Sequence, residues 1–91
     1  MPEPRLSEAA ITRSIRMLLK TLGVFHWKQH QGLGSTPGVP DIIGIWQGRM
    51  LGIEVKTAKG KLSVQQQRFL DAIRREGGMK MNPTLAAEGD A

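Results

Sequence analysis

Cysteine is absent from the 91 residues, which rules out disulfides, thiolate zinc sites and a cysteine nucleophile and makes a reducing cytoplasm the expected setting. Histidine is scarce, with only His26 and His30. No apolar run approaches the length of a membrane span, and the stretch Met1 to Arg16 is too charged for a signal peptide. The chain is also short. One domain is the most it can form, near the lower limit for a self-sufficient core, so pairing with a second copy is a natural way to cover leftover apolar surface.

Acidic residues are few where they would matter most. All 13 Lys and Arg fall between Arg5 and Lys80, whereas Glu3, Glu88 and Asp90 lie in the tails, so the formal charge of +5 becomes +8 over that window, with Glu8, Asp41, Glu54, Asp71 and Glu76 its only acids. A surplus of this size favours a polyanionic partner through counterion release and long-range attraction, although a solvated basic surface has the same composition.

The segment SEAAITRSIRMLLKTLG begins at Ser7, an N-cap residue type, places apolar side chains at Ile11, Ile15, Leu18, Leu19 and Leu22, and meets Gly23 as a stop. It predicts a helix. VFHWKQ, residues 24 to 29, has the β-branched and aromatic character of a strand, and HQGLGSTPGVP reads as a loop. DIIGIW and RMLGIEVK, joined by Gln47-Gly48, predict a hairpin. After a basic turn, TAKGK, Ser63 can cap a second helix with Phe69, Leu70 and Ile73 on one stripe and Gly77-Gly78 at its end. MKMN offers one more short strand. Residues 1–82 are thus expected to form a single domain, with a disordered tail over 83–91. The order of elements predicts an α/β or α+β sandwich around an antiparallel-centred sheet.

With Gln47-Gly48 as the turn, paired residues have numbers summing to 95 and Asp41 falls opposite Glu54. Asp41, Ile43 and Ile45 then share a face with Met50, Gly52, Glu54 and Lys56, while Ile42, Gly44, Leu51, Ile53 and Val55 form a core face. Two facing carboxylates repel by a few tenths to about 1 kcal/mol when solvated, and by more when buried. Lys56 offsets part of this; a divalent ion such as Mg²⁺ offsets it better, acidifying water and neutralising charge on a reacting phosphate. In that chemistry Lys56 orients or deprotonates the nucleophile, or acts as a stabilising cation. A strand-end salt bridge is the plainer alternative, and a three-residue loop would shift the register and dissolve the pair.

GVPDIIGIWQGRMLGIEVKTAKGKLSVQQQRFLDAIRREGG resembles the VRR-NUC (virus-type replication-repair nuclease) branch of the PD-(D/E)XK nuclease superfamily in its stand-alone phage or bacterial form, and the resemblance extends from about Ser7 to Gly78. Its motifs are a Glu opening the first helix, G-x-P-D-I-I-G, a Gly before a basic turn residue, E-V-K, and a Gln in the following helix. The resemblance implies a restriction-endonuclease-like α/β core, with a small mixed sheet, a central hairpin and flanking helices, completed by dimerisation. It implies Mg²⁺- or Mn²⁺-dependent cleavage of DNA by a homodimer, on branched substrates such as four-way (Holliday) junctions, in a bacterial or phage-infected cell. The metal ligands implied are Asp41, Glu54 and the backbone carbonyl of Val55; Lys56 is the catalytic lysine, Glu8 the helical acid, acting directly or through water, and Gln66 the helical glutamine. Spacing adds that Glu8 continues the stripe of Ile11 and Ile15, where a helix-dipole role is the plainer reading, and that Gln66 precedes Phe69, Leu70 and Ile73 on an apolar face, where its amide needs a partner. After Gly78, where such domains commonly continue with a longer strand and a helix, this chain has only MKM.

Candidate phosphate contacts are Arg13, Arg16, Lys28, Arg49, Lys59 and Lys61, joined by Ser35 and Thr36 of the glycine-rich loop; each has ordinary solvation or connection as its alternative. His26 and His30 fit surface or packing roles better than ligation, and Trp27 and Trp46 fit core or interface better than base stacking. Two rival functions remain: a flap, nicking or restriction-type nuclease using the same residues, and a non-catalytic DNA-binding accessory protein.

Overall fold

The computed structural model describes residues 7–57 and 60–82; Lys59 and the tail expected over 83–91 lie outside them. The first helix, α1 (Glu8–Thr21), starts where Ser7 accepts a hydrogen bond from the Ala10 amide at 3.0 Å, and Gly23 follows its C-cap with φ of 76°. The buried line along α1 runs through Ile11, Ile15 and Leu19 with Thr12 on its flank. This is narrower than the sequence stripe: Leu18 and Leu22 are 57% and 59% exposed, Leu18 on the edge of the line away from Thr12 and Leu22 at the C-cap, past the last helical residue.

Four strands follow: β1 (Phe25–Lys28), β2 (Ile42–Trp46), β3 (Arg49–Ile53) and, after the second helix α2 (Val64–Arg75), β4 (Met79–Met81). They form one sheet in the order β1-β2-β3-β4, antiparallel across the first three and parallel between β3 and β4. The parallel pairing follows from α2, which returns the chain to the end of the sheet from which β3 started. This gives a mixed α/β sheet with helices, compatible with a nuclease-like fold. No described helix is long and apolar enough to cross a membrane.

Each helix covers one face. Ile42, Leu51, Ile53 and Val55 pack with Ile11, Leu19 and Val24 under α1, while Leu70 and Ile73 of α2 pack over β3 on the opposite face, where a Cβ on Gly52 would lie 2.5 Å from Ile73 Cδ1. Between β2 and β3, Gln47 and Gly48 have φ of 51° and 78°, a two-residue turn with both residues left-handed, whose twist matches the strands it joins. The register is Ile42 with Ile53 through Trp46 with Arg49. This is the pairing predicted from the sequence.

Candidate active site

The hairpin ladder stops one pair short of the acids, and Pro40 explains why. Continuing the register puts Pro40 opposite Val55 at a position where both residues would exchange hydrogen bonds. Proline has no N–H, so it cannot donate to the Val55 carbonyl. The Val55 amide turns instead to the Asp41 carboxylate, donating to Oδ2 at 2.7 Å. On the other side, the Gln29 amide donates to the Asp41 carbonyl at 2.8 Å. Asp41 is therefore fixed by both neighbouring strands, at the point where β2 and β3 begin to part.

Glu54 is deeply placed, 2% exposed. Its amide donates to the Met81 carbonyl at 2.9 Å, so the short β4 helps hold the main chain. Its Oε2 accepts from Gln66 Nε2 at 3.1 Å and lies 3.8 Å from Lys56 Nζ. Its Oε1 is buried without a hydrogen-bond partner among the described residues. Burial pushes the carboxyl up from 4.5 to about 7; the charge of Asp41 pushes the same way, Lys56 opposes them, and the charge of Glu8 adds a smaller upward push. Asp41 and Glu54 thus compete for the same space as anions, with one cation beside them.

Gln66, whose place on an apolar face calls for a partner to its side-chain amide, has one on each side of that amide. Its side-chain oxygen accepts from the Ser63 amide at 2.8 Å while Ser63 Oγ accepts from the Gln66 amide at 3.1 Å, a reciprocal cap on α2. The same side chain then reaches Glu54. The S-x-x-Q signal of the cap is present in SVQQ, and the partner that the apolar-face position of Gln66 calls for is the Glu54 carboxylate. The loop packs against this helix start: Gly38 has φ of 80°, and a Cβ there would run into the Gln65 carbonyl and sit 2.8 Å from the Gln66 nitrogen. Only glycine allows the approach that sets Pro40 and Asp41 beside the α2 terminus.

The remaining residues divide by position. Ser35 and Thr36 line a groove with Ser63 and Gln66, although Ser35 Oγ also bonds Gly32 at both its amide and its carbonyl. Lys61 is exposed just before α2. Arg13, Arg16 and Lys28 gather in a separate groove between α1 and β1. Arg49 is at the turn end of the hairpin, away from the carboxylates, with Nε donating to the Gly77 carbonyl at 2.7 Å. His26 Nδ1 lies 2.9 Å from the Val24 carbonyl, and His30 is exposed on the loop. Trp27 donates to Gln29 Oε1 at 3.0 Å and meets Phe25 edge to face; Trp46 is 37% exposed.

A sequence model of the VRR-NUC domain matches residues 2–82. The chain belongs to the VRR-NUC family. No curated protein and no solved structure matches it. A VRR-NUC domain is a nuclease of the PD-(D/E)XK type, an endonuclease and hydrolase whose substrate is DNA. Nucleases of this family generally use divalent metal ions, and the donor chemistry of this VRR-NUC chain fits one: a buried carboxylate oxygen with no partner, a second carboxylate beside it and a main-chain carbonyl that Pro40 cannot occupy. Among the described residues no three His, Cys, Asp or Glu side chains converge as a metal cluster. Glu8 reaches Glu54 as the smallest of the charges that raise its pKa.

Proposed function

We propose that this protein is a metal-dependent DNA endonuclease in which Asp41, Glu54 through Oε1, and the Val55 carbonyl hold Mg²⁺ or Mn²⁺, with Glu8 contributing through water. The observation that carries the reading is the convergence of Asp41, Glu54 and Lys56 at the open end of the hairpin, with one Glu54 oxygen engaged by Gln66 and Lys56 and the other left over. A divalent ion bound there supplies charge neutralisation at a phosphoryl oxygen and acidifies water. Lys56, 18% exposed and 3.8 Å from Glu54, is placed to orient the attacking water or to stabilise the negative charge that builds as the phosphodiester is displaced. Gln66 fixes the orientation of the Glu54 carboxylate, and the Asp41–Val55 contact fixes that of the carbonyl. This arrangement corresponds to the PD-(D/E)XK core, carried by a single nuclease domain over residues 1–82.

We further assign a homodimer acting on branched DNA, with four-way junctions as the preferred substrate. Support comes from the uncovered half of the sheet, where Trp27, Ile45 and Met50 are 39%, 49% and 38% exposed, and from β4, an edge strand of three residues open to extension by a second copy. Two sites related by a twofold axis suit paired incisions.

The test is cleavage of a labelled four-way junction, a flap, a nicked duplex and a linear duplex in Mg²⁺, Mn²⁺, Ca²⁺ or EDTA. Cutting is expected with Mg²⁺ and Mn²⁺, binding without turnover with Ca²⁺, and neither cutting nor loss of binding for Glu54→Gln. Cutting that persists in EDTA removes the metal from the reading. Equal cutting of all four DNAs removes branch selectivity, and unchanged behaviour of Asp41→Ala and Lys56→Ala would point to the accessory-protein alternative.

A further inference from the structure

The connection from β1 to β2 contains two consecutive turns. In the first, the Ser35 amide donates to the Gly32 carbonyl at 3.0 Å, and Gly34, with φ of 92°, holds the third position. In the second, the Val39 amide donates to the Thr36 carbonyl at 3.1 Å, with Pro37 second and Gly38, φ of 80°, third. Both have the glycine placement of a type II turn. Ser35 Oγ braces the first turn, accepting from the Gly32 amide at 3.1 Å and donating to the Gly32 carbonyl at 2.7 Å. Gln31 Nε2 ties the two turns together by donating to the Val39 carbonyl at 2.7 Å. The loop is thus a braced arm, and Gly38 seats it on the start of α2.

Leu33 stands at the outer corner of the first turn, 105% exposed, more open than any other large apolar side chain among the described residues. A single exposed leucine is ordinary on a protein surface. This one is set apart by its mounting and its neighbours. It borders a groove of about 520 Å³ whose lining includes Thr36, Ser63, Gln65 and Gln66 and no charged residue. Gln66 connects that groove to the acids, since its side-chain amide donates to Glu54. A phosphate gains little from walls without a cation, because no counterion is released there. Bases suit the groove better: they offer apolar faces and polar edges, which an aliphatic side chain and free amide and hydroxyl groups match.

We infer that Leu33 is a wedge that inserts between two stacked bases beside the bond to be cut, so that the ease of unstacking that step helps decide where the enzyme incises. The inference rests on the nuclease reading above and adds a specificity-determining residue to it. An inserted apolar side chain partly unstacks a base step and kinks the duplex. The braced arm has little conformational freedom to lose on insertion, and its seat on α2 fixes the position of the kink relative to Glu54. Pyrimidine–purine steps such as TA and CA yield most readily.

The test uses the whole protein and four-way junctions that differ only in the base step at the mapped cut, TA, CA or GC, with 2-aminopurine next to it. Wild type in Mg²⁺ should cut the TA and CA junctions about ten-fold faster than the GC junction, in line with the spread of stacking strength among steps. In Ca²⁺ its binding should raise the 2-aminopurine fluorescence through lost stacking. Leu33→Ala should narrow the step preference to less than about two-fold and lose the fluorescence rise. Leu33→Met keeps an apolar wedge and should retain both, and Leu18→Ala, which shortens an exposed leucine on α1, should match wild type. Equal cutting of the TA, CA and GC junctions by wild type overturns the wedge, as does Leu33→Ala with an unchanged preference or fluorescence rise. A change in the sedimentation of Leu33→Ala with neither DNA effect also overturns it, and makes Leu33 a contact between copies. If wild type cuts no junction in Mg²⁺, the nuclease reading fails; if it cuts them and Leu33→Ala behaves as wild type, only this inference fails.

Discussion

A buried carboxylate with one oxygen engaged and the other unpartnered is costly in an isolated protein, and Glu54 has that arrangement. Because its pKa rises from 4.5 to about 7 on folding, the folded state binds the proton more tightly than the unfolded chain. The associated stabilisation is complete below pH 4.5, declines as the pH climbs and is lost above about 7. Between about pH 5 and pH 8 without divalent ions, wild type should therefore lose on the order of 2–3 kcal/mol relative to Glu54→Gln, measured by chemical denaturation. Parallel curves for the two proteins would show that Glu54 titrates normally. Adding Mg²⁺ near pH 8 should recover part of the loss in wild type only. Gln66 gives a second residue-scale expectation. Gln66→Ala removes the side-chain half of the reciprocal cap and the Glu54 contact, keeps the bond from its own amide to Ser63 Oγ, and should cost about 1 kcal/mol in stability. Gln66→Glu keeps an acceptor for the Ser63 amide but loses the donor to Glu54, so it should cap well and cut poorly. A variant with normal cleavage would detach Gln66 from the site.

At the scale of elements, the hairpin was legible because its information is local. Gln47-Gly48 sets the turn, the turn sets the register, and the register places Asp41 across from Glu54. Ser7 and Ser63 marked both helix starts for the same reason. What sequence spacing did not reveal depends on residues far apart in the chain: the parallel pairing of β4 with β3, the Met81 carbonyl on the Glu54 amide, and Arg49 bound to the Gly77 carbonyl. A three-residue strand such as MKM has too few side chains to announce its partner. The turn also carries a correctable strain, since glutamine at φ of 51° occupies a region that asparagine tolerates better. Gln47→Asn should stabilise the protein by about 0.5–1 kcal/mol, seen as a higher denaturation midpoint at unchanged slope. Activity should not change, because the turn lies about 20 Å along the strands from Asp41. A loss of activity would mean that the turn itself touches substrate.

At the scale of the molecule, the sheet is unevenly covered. The α2 helix packs over β3 and β4, and Asp71 ties it to β4 through Lys80 at 2.8 Å. On the same face Trp27, Ile45 and Met50 stay partly open to solvent. If this area joins two copies, the double variant Ile45→Glu, Met50→Glu should sediment as a monomer while keeping the wild-type circular dichroism spectrum, since both side chains are already more than a third exposed in one chain. Sedimentation of the variant as a dimer would move the interface to another surface, such as the β4 edge.

Pro40 carries the most general consequence, because it contributes by an atom it does not have. Any other residue at that position brings a hydrogen that the Val55 oxygen can accept, so, if that oxygen is the metal donor proposed above, a single-codon change silences the chemistry while leaving the architecture standing. Pro40→Ala should therefore fold, with some loss of packing over Gly52, yet bind Mg²⁺ more weakly by calorimetry; undiminished affinity would mean that Val55 is not a donor. On the proposed reading, the metal site depends on a gap in the zipper between two strands, and closing that gap requires no new functional group.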